Sequence, residues 1–288
     1  MKFAVIGGDR RTELLCAMLA GDGHKVYTYA LEKAEKAEGV IRAGCLQGCV
    51  YGADYVLLPI PAEQAGMLNA PLSAEEFSLS QIIDALWEGQ TVCGGAFCQD
   101  VCLQGANSGL FLEDILRRPS FAYANAELTA ECALGLLMRN TDKALGHCRV
   151  LICGWGRIGM LLALKLKALG AAVTVASRSR VHGAQARALG LQSCDYAAAA
   201  DVIGEQDFIV NTSPARVLDE AALCAVSERA LLLELASPPG GYDRTLCANL
   251  GLNSVYAPGL PGKHLPYSAA AIIRDAIYEI MEEQEERG

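Results

Sequence analysis

A strand, a glycine-rich turn, a helix and a second strand follow one another in the middle of the chain. The apolar run Arg149-Val-Leu-Ile-Cys153 ends at Gly154-Trp-Gly156-Arg-Ile-Gly159, and an apolar helical pattern continues from there to Gly170. The next run, Val173 to Ala176, is rich in β-branched residues and typical of a strand. Glycines at this spacing between a strand and a helix predict a βαβ unit of the dinucleotide-binding kind. Because the unit starts halfway along a 288-residue chain, we expect another domain before it.

Each glycine of this fingerprint, Gly154 to Gly159, is expected to have its own task. Gly154 allows the tight turn, Gly156 lets the backbone approach a pyrophosphate, and Gly159 brings the helix close to the sheet. The N-terminus of the helix then favours an anion, because its first N–H groups lack intrahelical partners and its dipole is positive there. Cofactor contacts are therefore predicted from Gly154, Trp155, Gly156, Arg157, Ile158 and Gly159. The alternative is a tight turn that binds nothing.

The end of the second strand bears on which dinucleotide is bound. NAD sites usually place an acid here for the ribose 2′-hydroxyl, but no acid lies between Val173 and Arg180. Ser177, Arg178 and Ser179 stand there instead, and an arginine can pair with a 2′-phosphate that a carboxylate would repel. One such charged hydrogen bond is worth about 1.5–3 kcal/mol, enough to set a preference. We therefore predict NADP over NAD, the alternative being a solvated basic loop.

Composition excludes several classes of partner. The net charge is −9, which argues against nucleic acid, and no apolar run approaches the 18 residues of a membrane span. The twelve cysteines are scattered without a ligand pattern, so no metal site is predicted. The first residues form a short strand ending at Gly7 rather than a signal peptide, so we expect a cytoplasmic protein.

The segment pattern predicts an α/β protein with two doubly wound, Rossmann-like domains and a cleft between them. An N-terminal domain is expected over 1–124, the dinucleotide-binding domain over 125–267, and a last helix over 268–287 that packs on the first. Strands of the first domain are expected at Phe3–Ile6, His24–Tyr29, Tyr55–Leu58, Thr91–Cys93 and near Phe121. A helix over Asn125–Leu145, capped by Asn125 or Thr129, is expected to join the domains. The turn at Gly7-Gly-Asp9 lacks a third glycine and is not expected to hold a second cofactor.

Three later loops have the composition of ligand-binding segments. Asn211, Thr212, Ser213 and Pro214 follow a strand and are expected beside the nicotinamide ribose; the segment Glu234–Gly241 holds two prolines and two glycines that fix the backbone near the ring. The third loop, Ala257–Ser268, brings Lys263 and His264 to a helix that Ser268 is expected to cap. Lys263 beside a helix N-terminus suggests a carboxylate pocket. A plain turn and a surface loop are the alternatives.

Six motifs together resemble a known family. They follow in order over nearly the whole chain: Gly7-Gly-Asp-Arg10, Asn125-Ala-Glu-Leu-Thr-Ala-Glu131, Asn140-Thr-Asp-Lys143, the fingerprint, Asn211-Thr-Ser-Pro-Ala215 and Pro258-Gly-Leu-Pro-Gly-Lys263. This set is similar to the family of dipicolinate synthase A subunits, and Pro258–Lys263 is its most specific part. The chain departs from the family after Lys263, where Tyr267-Ser268-Ala269-Ala270 replaces a threonine-alanine-glycine pattern.

The resemblance implies a function in sporulating bacteria, in the mother cell. The enzyme would oxidise dihydro- or 4-hydroxytetrahydro-dipicolinate, in the second case with dehydration, to pyridine-2,6-dicarboxylate. It would work with the flavoprotein-like B subunit of dipicolinate synthase, and a homo-oligomer is left open.

Such a substrate carries two carboxylates and loses a hydride and a proton. The expected carboxylate pockets are Arg10 on one side of the cleft and Lys263 with Ser268 on the other, and either His264 or Glu131 takes the proton. For Arg10 the alternative is a solvent-exposed residue at a helix start.

Two other functions remain open. An NADP-linked 2-hydroxyacid dehydrogenase would need an arginine after the fifth strand of the cofactor domain, where the chain has Leu235-Ala-Ser-Pro238. The other is a non-catalytic NADP-binding component of a two-subunit enzyme.

Overall fold

The computed structural model describes residues 1–286 and divides the chain into two compact units. The first unit comprises Met1–Asn125 together with the segment from Leu265 onward, and the second comprises Ala126–His264. The predicted end of the last helix, residue 287, lies outside the described residues. None of the helices within 1–286 is long and apolar enough to cross a bilayer.

The first unit is built on a six-stranded parallel sheet. Its strands and a small antiparallel hairpin are β1 (Lys2–Ile6), β2 (Lys25–Tyr29), β3 (Val40–Arg42), β4 (Tyr55–Leu57), β5 (Glu63–Gln64), β6 (Met67–Leu68), β7 (Thr91–Gly94) and β8 (Phe111–Asp114). Its first helices are α1 (Arg10–Gly21), α2 (Leu46–Val50), α3 (Leu79–Asp84) and α4 (Gln99–Asn107). The sheet order is β3-β2-β1-β4-β7-β8. This is the doubly wound order, so the predicted fold class holds for this unit.

One strand prediction in this unit was wrong, and one strand was not predicted. Phe121 lies in a helix, and the sixth strand is β8, ten residues earlier. Strand β8 escaped prediction because it is an edge strand with an exposed Phe111 and two acids, Glu113 and Asp114, so it lacks an apolar run. Strand β3 was not predicted, because only three residues pair there.

Helix α5 (Pro119–Arg139) runs from the first unit into the second. It begins six residues before the predicted start, because Pro119 is well suited to the first turn of a helix. Asn125 and Thr129 therefore lie inside the helix and do not cap it, and Leu145 belongs to a separate 3₁₀ turn, Leu145–His147.

The second unit repeats the same architecture. Its strands are β9 (Arg149–Cys153), β10 (Ala172–Ala176), β11 (Gln192–Cys194), β12 (Phe208–Asn211), β13 (Leu231–Glu234) and β14 (Asn253–Tyr256). Its helices are α6 (Arg157–Ala168), α7 (Arg180–Ala188), α8 (Ala199–Ile203), α9 (Glu220–Cys224), α10 (Arg244–Asn249) and α11 (Leu260–His264). All strands are parallel in the order β11-β10-β9-β12-β13-β14. The carboxyl ends of β9, β12 and β13 therefore lie side by side.

The last helix, α12 (Pro266–Glu285), belongs to the first unit and packs along α1. One stripe of this helix is buried in the core on one face of the sheet: Ala270, Ile273, Ala276, Ile277 and Ile280. Ser268 does not cap it: Leu265 stands at the cap position and Pro266 starts the helix. Proline suits this first position because it has no N–H to satisfy there.

Two buried polar atoms of the second unit have no hydrogen-bond partner within the described residues, the Gln206 side-chain oxygen and the Tyr242 hydroxyl. Tyr242 is 1% exposed, and its hydroxyl has no hydrogen-bond partner within the described residues. Burial raises the pKa of this phenol, so it stays protonated. A buried hydroxyl without a partner lowers the stability of the fold.

Tyr242→Phe is therefore expected to unfold at the same or higher denaturant concentration than the unaltered chain, with a gain of up to about 1 kcal/mol. Urea unfolding followed by circular dichroism measures this. The matched control is Tyr242→Ala, which removes the buried ring and should cost about 3–5 kcal/mol. A marked loss of stability in Tyr242→Phe would show that the hydroxyl has a partner.

Candidate dinucleotide-binding site

Two fingerprint glycines are required by the packing of the protein itself. Gly154 ends β9 with φ +112°, and a Cβ there would lie 2.5 Å from the Thr212 hydroxyl oxygen. A Cβ on Gly159 would lie 2.4 Å from the carbonyl oxygen of Gly154. Any side chain at either position would push the turn away from the strand ends, so both glycines serve the close approach of α6 to the sheet.

Gly156 is different, because no atom of the chain requires it to be glycine. It occupies the N-cap of α6 with φ −80°, and a Cβ there would meet nothing within 4 Å. Its missing side chain leaves the space beside the first turn of α6 open. That space lies at the positive end of the helix dipole, where an anion is favoured.

The neighbours of Gly156 frame this opening. Trp155 is buried, and its indole N–H donates to the Gln185 side chain of α7 at 3.1 Å. Arg157 is exposed at the first position of α6, and Ile158 is half-buried behind it. The turn is thus anchored on one side by an aromatic ring and open on the other.

In the first unit, a carboxylate of the protein itself occupies the equivalent turn between β1 and α1. Asp9 caps α1, and its carboxylate accepts from the Arg11 backbone N–H at 2.9 Å and from the Arg11 guanidinium. A Cβ on Gly8 would lie 2.0 Å from the Thr12 hydroxyl oxygen. A carboxylate at this place repels a phosphate, so the two turns differ in chemistry although their folds agree.

The turn between β10 and α7 presents two arginines. Strand β10 ends at Ala176, and Arg180 is the first residue of α7. The hydroxyl of buried Ser177 accepts from the Ser179 N–H at 3.2 Å, and the Ser179 hydroxyl caps α7. Arg178 and Arg180 are exposed, and within residues 1–286 neither forms an ion pair with a carboxylate.

The ends of β12 and β13 carry a polar pair that the sequence alone did not single out. Asn211 and Glu234 stand opposite each other in register and are both buried, at 0% and 1% exposure. The Asn211 side-chain amide donates to Glu234 at 2.6 Å. Burial raises the pKa of Glu234, although hydrogen bonds from Gly241, Asn211 and Ala236 act in the opposite direction. The only available sequence signal was an acid ending an apolar strand.

The remaining residues of the β12 loop lie at the surface of this edge. The Thr212 hydroxyl donates to the Cys153 carbonyl at 3.1 Å, which ties the loop to the end of β9. Ser213 is half-buried and its N–H donates to the Asn211 side chain, whereas Pro214 is exposed.

The five predicted catalytic residues lie on four different helices. In the second unit, Lys263 and His264 are exposed in the short helix α11, where a loop was predicted. Glu131 lies on α5 and pairs with Lys165 of α6 at 3.3 Å. In the first unit, Arg10 pairs with Glu13 and Glu35, and Ser268 is half-buried within α12. Their catalytic roles stay predictions.

Comparison with known proteins connects this geometry to a family. Residues 2–115 match the N-terminal domain of the dipicolinate synthase A subunit, and residues 137–236 match the NAD-binding domain of D-isomer specific 2-hydroxyacid dehydrogenases. The dipicolinate synthase A subunit of Bacillus subtilis is 28% identical over 297 residues, covering 100% of this chain and 98% of the relative. This chain is a relative of the dipicolinate synthase A subunit. The resemblance predicted from the motifs is thereby confirmed.

Two crystal structures of dipicolinate synthase A subunits have the same fold. The protein from Bacillus halodurans superposes with a TM-score of 0.88 at 26% identity, covering 97% of both chains. The Bacillus subtilis protein gives 0.86 at 26% identity, covering 100% of this chain and 98% of the other. The predicted α/β fold class is confirmed. The second unit contains a dehydrogenase-type domain for a nicotinamide cofactor, and the chain is an oxidoreductase.

Gly156→Ala separates ligand binding from folding at this turn. The new methyl enters open space, so stability should fall by at most about 1 kcal/mol, from the poorer N-cap alone. Affinity for a nicotinamide dinucleotide should fall at least tenfold, because the methyl occupies the place of the pyrophosphate. Calorimetric titration with NADP⁺ and with NAD⁺, beside a urea melt, checks both values.

Gly154→Ala is the matched control for this prediction. It adds the same methyl at a positive φ and against Thr212, so it should destabilise the fold by more than about 1 kcal/mol. Unchanged dinucleotide affinity in Gly156→Ala would contradict the assignment of this turn as the pyrophosphate site.

Proposed function

We propose that this oxidoreductase forms dipicolinate, pyridine-2,6-dicarboxylate, with NADP⁺ as hydride acceptor. The substrate is dihydrodipicolinate, or 4-hydroxytetrahydro-dipicolinate, which loses water before the oxidation. Removing one hydride and one proton from the dihydropyridine makes the ring aromatic, and this gain in aromaticity drives the reaction. The similarity of the whole chain to a dipicolinate synthase A subunit, together with a dehydrogenase-type domain that has an open turn, is the observation that carries the proposal.

Three segments of the second unit would hold the cofactor. The fingerprint Gly154–Gly159 would bind the pyrophosphate, the turn Ser177–Ser179 the 2′-phosphate, and Asn211–Pro214 the nicotinamide ribose. When bound, NADP⁺ supplies the electrophilic carbon that takes the hydride. The chain's own task is to orient the ring, neutralise the two carboxylates and accept a proton.

Two exposed residues on α11 are the residues of the second unit that we favour for contact with the substrate. Lys263 carries a positive charge suited to a carboxylate, and the adjacent His264 carries an exposed imidazole that could accept a proton. Glu131 is less favoured as proton acceptor because it lies in an ion pair with Lys165. Arg10 is proposed to bind the second carboxylate of the substrate. Ser268 is proposed to bind the same carboxylate as Lys263.

The likeness to one component of a two-subunit enzyme also suggests a partner and a cellular setting. We propose that the chain acts with the flavoprotein-like B subunit of dipicolinate synthase, in the mother cell of a sporulating bacterium. The D-2-hydroxyacid dehydrogenase alternative is favoured by the domain match, but the segment Leu235–Gly241 after β13 lacks an arginine that would clamp a 2-hydroxyacid carboxylate.

The preference for NADP is tested with Arg178→Ala. Loss of one charged hydrogen bond to the 2′-phosphate should weaken NADP⁺ binding about tenfold to a hundredfold and leave NAD⁺ binding unchanged. Titrations with both nucleotides measure this, and Arg229→Ala, an exposed arginine elsewhere in the unit, is the control. If Arg178→Ala weakens both nucleotides equally, or neither, this turn does not bind a 2′-phosphate.

The reaction itself is tested by mixing the purified chain with the precursor and NADP⁺. Absorbance at 340 nm should rise as NADPH forms, and dipicolinate should appear in equal amount by its ultraviolet spectrum. Binding of NADP⁺ without turnover, either alone or with the flavoprotein-like partner, would favour the non-catalytic alternative. Turnover of a 2-hydroxyacid in place of the precursor would favour the dehydrogenase alternative.

A further inference from the structure

A buried carboxylate lies at the edge of the second sheet where the proposed nicotinamide end would be bound. Glu234 is the last residue of β13 and is 1% exposed. It is not one of the predicted cofactor contacts. A buried acid in an apolar strand needs several donors to be tolerated.

Glu234 accepts hydrogen bonds from two separate loops. One carboxylate oxygen accepts from the Asn211 amide at 2.6 Å and from the Ala236 N–H at 2.9 Å. The other accepts from the Gly241 N–H at 2.8 Å. A single side chain thus holds the start of the loop after β12 and both ends of the loop after β13.

The glycines of the second loop fit this arrangement. A Cβ on Gly241 would lie 2.3 Å from the Asn211 side chain, and a Cβ on Gly240 would lie 2.9 Å from a Glu234 oxygen. The backbone therefore approaches the carboxylate as closely as only glycine permits. The position of the loop after β13 and the position of the Glu234 carboxylate therefore depend on each other.

The loop after β12 also contacts the fingerprint Gly154–Gly159. Asn211 is followed by Thr212, whose hydroxyl donates to the Cys153 carbonyl and fills the space left by Gly154 and Gly159. The set Glu234, Asn211 and Thr212 thus joins the ends of β13, β12 and β9 across the carboxyl edge of the sheet.

The strand order decides which half of a dinucleotide these loops would face. Strand β10, with Ser177 and Arg178, lies on one side of β9, and strands β12 and β13 lie on the other. A pyrophosphate at the β9 turn with its adenosine half over β10 directs the nicotinamide half over β12 and β13.

We propose that Glu234 is a positioning residue that holds the loops after β12 and β13 in place around the nicotinamide half of the cofactor. The inference rests on the proposed function, because it requires a bound nicotinamide dinucleotide. Glu234 acts through Asn211, Ala236 and Gly241 rather than by touching the cofactor.

Glu234→Gln tests the carboxylate while keeping its size. An amide offers one acceptor and one donor, so either Gly241 or the Asn211–Ala236 pair faces an N–H group instead of an oxygen. We expect the Kd of the fragment 2′,5′-ADP, which lacks the nicotinamide half, to stay within twofold. The Kd of NADPH should rise about tenfold, and kcat with the precursor should fall at least tenfold.

Two further variants give controls. Glu234→Asp keeps the charge and should recover part of the NADPH affinity that Glu234→Gln loses. Tyr242→Phe lies in the same buried core and should leave all three measurements unchanged. Equal losses for 2′,5′-ADP and NADPH would show a general structural role and overturn the inference, as would unchanged NADPH affinity and kcat.

Hydrogen exchange of the unaltered chain tests the same contacts without any variant. The Ala236 and Gly241 amides should be protected before any nucleotide is added, because both donate to a buried carboxylate. Rapid exchange of both would overturn the inference. If the unaltered chain binds neither 2′,5′-ADP nor NADPH, the proposed function itself fails, which is distinct from a loss confined to Glu234→Gln.

Discussion

The open amino end of α6 is the structural feature on which the proposed binding of the cofactor depends. A helix N-terminus concentrates unpaired N–H groups and the positive end of a dipole, and most proteins satisfy it with a capping side chain. Here the cap is Gly156, with open space where a side chain would be. Gly154 and Gly159 bring that helix end onto the strand ends, so the open positive site lies at the edge of the sheet.

The two units share one architecture but differ in the charge at the first helix N-terminus of each sheet. Both sheets have the same doubly wound strand order, and both have a glycine turn between the first strand and the first helix. In the first unit Asp9 occupies the helix end and pairs with Arg11, whereas in the second Gly156 leaves it open. The same fold therefore accommodates both arrangements, and the residue at the cap is one difference between the two units.

Around the open turn, buried polar contacts hold the neighbouring loops in fixed positions. Thr212 ties the β12 loop to β9, and Asn211 ties it to Glu234 at the end of β13. Such contacts are costly to bury singly but stabilise a unique loop arrangement when every donor has an acceptor. The Tyr242 hydroxyl has no such partner among the described residues, and it lies outside that chain of contacts.

The sequence by itself determined the βαβ unit, the α/β class and the family resemblance, because these depend on local periodicity and on residues close together in the chain. It placed β8 wrongly near Phe121 and made Ser268 a cap, because edge strands and helix starts depend on neighbours that a local pattern does not contain. The sequence also assigned Gly154 and Gly159 to the turn and the packing, but only the tertiary structure gave the atoms they contact, and only it decided that Glu234 meets Asn211 across a strand pair. Strand register brings together residues that are 23 positions apart, and no spacing in the sequence records that contact.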